Sequence, residues 1–336
     1  MGQPDLLALE EWSDVDVDRL LSLATRVKRG EVTGGLEGKV LALLMAERDS
    51  RAEAIATTAM YLHGGHATVL DLSEDGAALE AGIGVRMDGS AREHAKDLAR
   101  SLGRWADGIA IRVLPRERDW SLAREDSLVK CFADEVDKPV LNLGSIRRNP
   151  VQALADAMTL RERLGDPQGK RFVLTWSWDP DPLPPAIPTS AALVAARLGM
   201  EIVISRPEGF ELDPQDTARI RKIAQHAGGE FVHISEDPDD GLVGADVVYV
   251  ASWGSVKLYG RPEEAEVRDQ YRDWRLTPPR HRGTRGGKAV VMHRLPVRRN
   301  VAIDDEILDG AESALVDQQE NVLHAHRAVL LELLGR

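Results

Sequence analysis

Positively charged and amide side chains beside apolar runs are the residues of this chain best suited to chemistry. Arg112 lies near the end of the apolar run 108–113, Arg294 lies two residues after the apolar run 289–292, and Asn149 precedes a proline. The carboxyl ends of strands in open α/β sheets are where such folds bind ligands. A guanidinium group binds anionic oxygens, and an asparagine amide can donate a hydrogen bond. These three residues are therefore candidates for contact with a ligand.

Each of these residues, and the histidine before Arg294, also has a structural interpretation. Arg112 could form an ion pair with Asp88 or Glu117 instead of binding a ligand. Asn149 could cap the helix that follows it, a role that is compatible with ligand binding. His293 could contact a ligand or could be a hydrogen-bonded structural histidine. The residue types alone leave these alternatives open.

A proline-rich segment supplies a second group of candidates. Residues 179–188 contain five prolines in ten positions, which predicts a stiff, extended excursion that is neither helix nor central strand. Trp176, Trp178 and Trp253 could line a pocket beside it, or they could belong to the core. Asp179 could act there as an acid or a base.

Composition excludes several classes of function. The formal net charge of −12 opposes binding to phosphate backbones and anionic lipid, so we expect no nucleic-acid partner and no membrane partner. A single cysteine, Cys131, rules out an intrachain disulfide and a cysteine-rich metal site, and it is typical of a cytoplasmic protein. Signal-peptide, P-loop, Gly-x-Gly-x-x-Gly and zinc-ligand patterns are missing from the sequence. We therefore predict neither a metal nor a cofactor.

Apolar runs alternate with helical patterns along the chain of 336 residues, which is long enough for two domains. This alternation predicts an α/β protein with parallel sheets. The predicted strands are 39–45, 66–71, 108–113, 139–142, 171–176, 201–205, 230–234, 247–251 and 289–292. The predicted helices are 12–28, 51–63, 91–105, 150–164, 191–198, 214–227 and 320–334.

Two stretches near the C-terminus resemble known signatures. His293-Arg294-Leu295-Pro296 and Glu320-Asn321-Val322-Leu323-His324 share the framework of the His-Cys-Leu-Pro and Glu-Asn-Arg-Leu-His signatures of ornithine-type carbamoyltransferases. Further matching stretches are Met87–Gly89, Val173–Trp176, Gly244–Tyr249, Ser252–Gly254, Arg268–Tyr271 and Leu295–Val301. Over nearly its whole length the chain resembles the aspartate/ornithine carbamoyltransferase superfamily. The similarity is greatest to the branch that acts on N-acetylornithine or N-succinylornithine.

The resemblance implies two Rossmann-like parallel-sheet domains and a homotrimer with active sites at subunit boundaries. We expect residues 1–150 to form a carbamoyl-phosphate-binding-like domain and residues 151–318 an amino-acid (ornithine)-binding-like domain. Residues 319–336 would form a C-terminal helix that packs back on the first domain. The proline-rich segment resembles the loop that makes the C-terminal domain of the acetylornithine branch knotted.

The resemblance also assigns roles to residues. Ser50, Arg51 and Arg112 match phosphate-binding positions, while Gln152 and the Leu295 carbonyl match groups that hold the carbamoyl amide. The candidate ligand contacts are Ser50, Arg51, Arg112, Gln152, Leu295, Trp178, Asp179, Ser252 and Trp253. The candidate catalytic residues are Asn149, His293 and Arg294, in which Asn149 replaces a histidine that donates to the carbamoyl oxygen and Arg294 replaces a cysteine.

Several of the matching positions carry altered residues. In the phosphate loop, Asp49, Ala52 and Glu53 replace Ser, Thr and Arg. An anion that faces a phosphate charge at ~4 Å costs about 4 kcal/mol at an effective dielectric constant of ~20. The alternative is that Asp49 and Glu53 are capping, solvent-facing charges at a helix N-terminus. The other altered positions are Ala77, Gly144, Ala251, Ala302 and Val322, where the family has Trp, Glu, Lys, a modified Lys and Arg.

These substitutions indicate a divergent transferase that binds an amino-acid-like ligand through an altered carbamoyl phosphate site. Ordinary carbamoylation of N-acetylornithine is not expected. The alternative is a non-catalytic or repurposed protein of the same fold. In a further alternative, Asp49, Glu53 or Asp179 serves as acid or base in different chemistry.

Overall fold

Parallel β-sheets and helices build each of two units in the computed structural model, which describes residues 5–47, 49–72, 79–114 and 117–335. Unit 1 comprises the described parts of 1–116, 123–151 and 322–336. Unit 2 comprises 117–122 and 152–321. Ala77 lies outside the described residues.

The first half of the chain alternates between strands and helices. Up to residue 144 the elements are α1 (Asp14–Lys28), β1 (Val40–Met45), α2 (Ser50–Leu62), β2 (His66–Asp71), β3 (Leu79–Glu80), β4 (Glu93–His94), α3 (Ala95–Leu102), β5 (Gly108–Arg112), α4 (Trp120–Ala123), α5 (Ser127–Glu135) and β6 (Val140–Gly144). The parallel sheet of unit 1 has the order β2-β1-β5-β6. Strands β1, β5 and β6 are apolar along almost their whole length because they are buried on both faces.

The sheet register of unit 1 sets three residues in one row. Met45 pairs with Arg112, and Arg112 pairs with Gly144, so the carboxyl ends of β1, β5 and β6 are level. Parallel pairing brings these ends to the same edge of the sheet. The candidate site of unit 1 lies at this edge.

The second half has the same architecture. From residue 150 the elements are α6 (Pro150–Leu164), β7 (Arg171–Trp176), α7 (Ala186–Arg197), β8 (Glu201–Ser205), α8 (Pro214–His226), β9 (Glu230–Ser235), β10 (Val247–Ala251), α9 (Glu263–Arg268), α10 (Pro278–Arg282), β11 (Val290–Met292), α11 (Asp305–Leu308) and α12 (Leu315–Leu334). The sheet order is β11-β10-β7-β8-β9, and all pairs are parallel.

Both faces of the unit 2 sheet carry a buried apolar cluster. Leu174, Trp176 and Tyr249 belong to the cluster on one face, which also packs against α7. Val173 and Val250 belong to the cluster on the other face, together with Ala302, Ile303 and Ile307. Burial on both faces explains why the central strands β7 and β10 are nearly continuous apolar runs.

The α/β class with parallel sheets is confirmed, while three predicted helices have markedly different bounds in the structure. α7 begins at Ala186 instead of 191. The expectation that the whole segment 179–188 is non-helical was therefore wrong, because Pro188 lies in the first turn, where a missing N–H breaks no helical hydrogen bond. α12 begins at Leu315 instead of 320, and the predicted helix 91–105 is a short strand followed by Ala95–Leu102.

Candidate functional site

An ion pair between Asp49 and Arg112 forms the centre of the unit 1 site. Asp49 is the N-cap of α2, and its side chain accepts a hydrogen bond from the Ala52 N–H at 3.0 Å. Its Oδ2 lies 3.2 Å from Arg112 Nη2, with side-chain exposures of 14% and 12%. Asp88 instead pairs with Arg86 at 3.2 Å. The Asp49 carboxylate therefore binds both an N–H donor at a helix N-terminus and a guanidinium group. An anionic ligand would use the same kinds of partner.

The lack of a side chain at Gly144 leaves space for the guanidinium group of Arg112. A Cβ on Gly144 would overlap Arg112 Nη1 and would approach Asn149 Nδ2 to 3.1 Å, and the glycine φ is +139°. Arg112 Nη1 also lies 3.4 Å from the Leu143 carbonyl oxygen. Arg112, Gly144 and Asn149 are therefore neighbours at the sheet edge, and a larger residue at position 144 would displace the guanidinium group.

The remaining residues of the predicted phosphate loop differ from Asp49 in their exposure to solvent. Ser50 and Arg51 are exposed on α2, and Glu53 is half-buried. Asp49 turns toward Arg112 and also caps the helix, so the capping alternative applies to it but the solvent-facing alternative does not. Among the described residues of this loop, Asp49 is the one whose carboxylate lies on a site arginine.

His326 lies on the part of α12 that belongs to unit 1. This histidine is 4% exposed, and its Nδ1 lies 2.8 Å from the Val322 carbonyl oxygen. Its Nε2 has no hydrogen-bond partner within the part of the chain that the structure describes. Burial lowers the pKa of His326 to about 4, opposed by the Val322 hydrogen bond and the Asp49 charge. The imidazole is therefore neutral at pH 7.

A buried polar network holds the loop before α6, on which Asn149 lies. The Ser145 hydroxyl donates to Asp126 Oδ2 at 2.6 Å, and Asn142 Nδ2 donates to Ser145 Oγ at 3.2 Å. Arg148 pairs with Glu10, and both side chains are buried. Burial raises the pKa of Asp126 to about 6. Asn149 itself is 5% exposed and directly precedes Pro150, the first residue of α6, as the capping and donor roles both require.

In unit 2, a buried carboxyl group joins two glutamines. Asp156 Oδ1 accepts hydrogen bonds from Gln152 Nε2 at 2.8 Å and from Gln318 Nε2 at 2.7 Å. Gln318 Oε1 in turn accepts from the His293 main-chain N–H at 3.1 Å. Burial raises the pKa of Asp156 to about 7, and hydrogen bonds from the glutamines together with the Arg294 charge act against this rise. Asp156 and Gln318 were missed in the sequence, although the four-residue spacing of Gln152 and Asp156 on one helix face was an available signal.

The His293–Pro296 stretch follows β11 directly. His293 is 5% exposed, and burial together with the Arg294 charge lowers its pKa to about 4. Arg294 is half-buried, and its charge acts on both Asp156 and His293. Leu295 packs against the apolar cluster that includes Val291, and the Leu295–Pro296 peptide is cis. The stretch thus combines a neutral buried imidazole with an adjacent cation.

The residues beside the proline-rich segment are engaged in other contacts. Trp178 Nε1 donates to Asp269 Oδ1 at 3.0 Å, and the Arg272 guanidinium carbon lies 4.3 Å from the Trp178 ring centroid. Asp179 Oδ1 pairs with Arg298 Nε at 3.0 Å. The Asp179 carboxylate, a candidate acid or base, is therefore bound in an ion pair.

Two of the three tryptophans belong to the core. Trp253 is fully buried and donates its Nε1 to the Phe210 carbonyl oxygen at 2.9 Å. Trp176 is 1% exposed and donates to the Trp253 carbonyl oxygen at 2.9 Å. Because its ring is enclosed and its N–H is used, Trp253 has the core role that the sequence left open as its alternative. Ser252, next to it, is also buried.

Two searches of the described residues bear on other classes of site. No group of three or more His, Cys, Asp or Glu side chains there is arranged to hold a metal ion. In the same residues, every helix is too short or too polar to cross a membrane.

Comparisons with known proteins agree with the two-part architecture. Residues 4–162 match the family model for the carbamoyl-P binding domain of aspartate/ornithine carbamoyltransferase, and residues 185–333 match the model for its Asp/Orn binding domain. N-acetylornithine carbamoyltransferase from Xanthomonas campestris pv. campestris is 36% identical over 100% of this chain and 99% of its own length. Ornithine carbamoyltransferase from Gloeobacter violaceus is 33% identical over 99% of this chain and 96% of its own length.

Two solved structures are similar to this chain over nearly its whole length. Acetylornithine transcarbamylase complexed with acetylcitrulline superposes with a TM-score of 0.94 at 35% identity, over 99% of both chains. A mutant N-acetyl-L-ornithine transcarbamylase complexed with carbamyl phosphate and N-succinyl-L-norvaline gives a TM-score of 0.93 at 35% identity, over 98% of this chain and 99% of that chain.

Proposed function

The chain belongs to the aspartate/ornithine carbamoyltransferase family, and we propose that it is a divergent transferase which binds an amino-acid-like ligand and has an altered carbamoyl phosphate site. In the family reaction an acceptor amine attacks the carbamoyl carbon and phosphate leaves. That reaction needs cations and N–H donors around the phosphate and donors near the carbonyl oxygen. The proposal concerns how this chain meets those needs.

The observation that carries the proposal is the position of Asp49. Its carboxylate already accepts from the N-terminus of α2 and pairs with Arg112. A phosphate group at this place would have to displace the carboxylate or face it. Facing it costs about 4 kcal/mol for each pair of like charges at ~4 Å and an effective dielectric constant of ~20. Ordinary carbamoylation of N-acetylornithine is therefore not expected.

Several groups remain that suit the ligands of the family. The resemblance gives the Asn149 amide and the Leu295 carbonyl to the carbamoyl group, and Arg294 supplies a permanent positive charge for an anionic group of an amino-acid-like ligand. Gln152 is oriented by its hydrogen bond to Asp156. Relatives whose structures contain acetylcitrulline or N-succinyl-L-norvaline support this ligand class.

Isothermal titration with carbamoyl phosphate tests the altered site. We expect the wild-type protein to bind carbamoyl phosphate at least about tenfold more weakly than Asp49→Ser, since serine keeps the helix cap but removes the negative charge. Asp14→Ser is the matched control, because Asp14 is an exposed acid in the first turn of α1 and its removal changes the net charge equally. Tight binding by the wild-type protein that Asp49→Ser does not improve would refute the proposal.

The alternative function is that of a non-catalytic or repurposed protein of the same fold. Three buried apolar positions favour it. Val322, Ala251 and Ala302 are 8%, 1% and 1% exposed, and the family has Arg, Lys and a modified Lys at these positions. Assays for a citrulline-type product with ornithine, N-acetylornithine and N-succinylornithine separate the two functions. Product above background with any of these acceptors eliminates the non-catalytic alternative.

We further propose a cytoplasmic homotrimer with sites at subunit boundaries, domains divided near residues 150 and 318, and a knotted loop at 179–188. These features follow from the family resemblance. Light scattering after size-exclusion chromatography tests the trimer, and a monomer at micromolar concentration would contradict it.

A further inference from the structure

An aspartate with an unusual backbone conformation precedes α5 in unit 1. Asp126 has φ +50° and ψ +42°, in the left-handed region that residues other than glycine seldom adopt. It is the N-cap of α5, where an aspartate ordinarily accepts a hydrogen bond from its own helix, but its side chain makes no such bond. Its Oδ2 instead accepts from the Ser145 hydroxyl at 2.6 Å. The Asp126 carboxyl group is therefore used outside its own helix.

Ser145 connects Asp126 to the loop between β6 and α6. The Ser145 hydroxyl oxygen accepts from Asn142 Nδ2 at 3.2 Å and from the Arg148 N–H at 3.2 Å. Two oxygens lie within reach of its single proton, and Asp126 Oδ2 at 2.6 Å is nearer than the Arg148 carbonyl oxygen at 3.4 Å. The Ser145 N–H donates to the Arg148 carbonyl oxygen at 2.9 Å. The Ser145 hydroxyl is thus the central atom of the loop, and Asp126 orients it.

The two ends of this loop lie beside the guanidinium group of Arg112. A Cβ on Gly144 would overlap Arg112 Nη1, and Asn149 Nδ2 is 3.1 Å from the same Cβ position. Asn142 Oδ1, which shares the network, accepts from the Gly144 N–H at 2.9 Å. A shift of the loop would therefore change both the position of the Asn149 amide and the space around Arg112.

The charge of Asp126 strengthens its hold on the loop, because a hydrogen bond to an ionised carboxylate is roughly twice as strong as one to a neutral group. Burial raises the pKa of Asp126 to about 6, against the effect of its hydrogen bond and of nearby cations. These cations are Arg147 and Arg148 on the loop and Lys130 on α5. Arg148 is itself paired with Glu10. The carboxyl group is therefore mostly ionised at pH 7 and mostly protonated at pH 5.

We propose that Asp126 is a positioning residue of the unit 1 site, which acts through Ser145 on Gly144 and Asn149 and makes anion binding at Arg112 depend on its own ionisation. The inference rests on the proposed function for the presence of a ligand at Arg112. It adds to that function a control of the site by pH.

Titration calorimetry with carbamoyl phosphate at pH 7 and pH 5 tests the inference, in the wild-type chain and in an Asp49→Ser background, which lacks the competing carboxylate. Asp126→Asn keeps the shape of the side chain and tolerates the left-handed backbone, but it cannot ionise. At pH 7 it should weaken binding by about tenfold, because the amide oxygen is only a neutral acceptor. At pH 5 the affinities with and without the substitution should agree within about twofold, because Asp126 is then mostly protonated as well. Protonation of the ligand affects both proteins equally and cancels in the ratio.

The Tm separates a positioning role from a merely structural one. The pKa of Asp126 is raised above its ordinary value of 3.8, so the contribution of this carboxyl group to stability is fully present below pH 3.8 and is lost as the pH rises through about 6. Asp126→Asn should therefore keep or raise the Tm at pH 7 while it weakens binding. A fall in Tm that accompanies the weaker binding would make Asp126 a structural residue and overturn the proposal.

Asp5→Asn is the matched control. Asp5 Oδ1 accepts from the Val140 N–H at 2.7 Å at the opposite end of β6, and burial raises the pKa of this acid too. Asp5→Asn should bind carbamoyl phosphate as its background does at both pH values. Ser145→Ala, which removes the connecting hydroxyl, should weaken binding as much as Asp126→Asn, and the double variant should weaken it no further.

Three outcomes would overturn the proposal: equal affinity of Asp126→Asn and its background at pH 7, the same affinity ratio at both pH values, or no binding in either background at millimolar carbamoyl phosphate. A different outcome would refute the altered phosphate site and leave the role of Asp126 intact. In that case Asp49→Ser would not improve the affinity, and Asp126→Asn would still weaken it.

Discussion

Asp156 and Gln318 are 162 positions apart in the sequence, and Asp156 Oδ1 accepts a hydrogen bond from Gln318 Nε2 at 2.7 Å. The other end of the Gln318 amide accepts from the His293 N–H. One side chain of α12 thus joins α6 to the end of β11. The position of the His293–Pro296 stretch depends on this link.

Gln318→Ala should destabilise unit 2. The change leaves the buried His293 N–H without its Gln318 partner, which costs about 1–3 kcal/mol. Asp156 loses one of two hydrogen bonds and keeps the one from Gln152. Urea unfolding measures the loss, with Gln319→Ala as the control because Gln319 is a half-buried neighbour on the same helix. Equal effects of the two substitutions would show that the link does not contribute to stability.

Asp49→Ala should destabilise unit 1 by about 2 kcal/mol. About half of this is the helix cap, and the rest is the loss of a carboxylate partner of Arg112. Ser13→Ala, which removes the cap of α1, isolates the capping effect because its side chain accepts from Asp16 N–H in the same way. A loss in Asp49→Ala no greater than in Ser13→Ala would mean that the ion pair adds no stability.

Gly144→Ala should be more destabilising than an ordinary glycine replacement at positive φ. A methyl group at position 144 would overlap the Arg112 guanidinium group, whereas Gly165, with φ +73°, has nothing within 4 Å of its Cβ position. Gly165→Ala therefore measures backbone strain alone, about 1 kcal/mol. Thermal unfolding of both variants makes the comparison, and an equal fall in Tm would argue against close packing of Arg112 on Gly144.

His326→Leu should reduce the acid sensitivity of folding. The pKa of His326 is about 4 in the folded protein, below its ordinary value of 6.5. A depressed histidine pKa contributes stability that is present above pH 6.5 and is lost as the pH falls toward 4. The full contribution is about 3 kcal/mol, and it should disappear in the variant.

Chemical unfolding at a series of pH values from 7 to 4 tests this prediction, with His66→Leu as an exposed-histidine control. Parallel stability profiles of wild type and His326→Leu would contradict it. His293, whose pKa is also about 4, supplies a second loss in the same direction, so the variant should remain partly acid-sensitive.

Much of the fold could be predicted because its signals are local. Apolar runs such as Val40–Met45 and Val247–Ala251 are nearly continuous, as burial on both sheet faces requires, and they became parallel strands. Boundaries were less predictable where tertiary packing extended a helix. α7 begins at Ala186, five residues before its predicted start, and includes Pro188 in its first turn. α12 begins at Leu315, also five residues before its predicted start. The signature stretches indicated the family, because motif frameworks are local as well.

The candidate site divides in the same way between local and long-range information. The sequence by itself determined that Asp49 replaces a serine in a phosphate loop, that Arg112 ends a strand, and that a neutral or cationic residue stands at each altered position of the C-terminal signatures. Only the tertiary structure decided that Asp49 turns onto Arg112 and that Gln318 reaches Asp156. Hydrophobic periodicity specifies the elements, but contacts between distant residues depend on strand register and on the rotation of each helix, which the packed core determines.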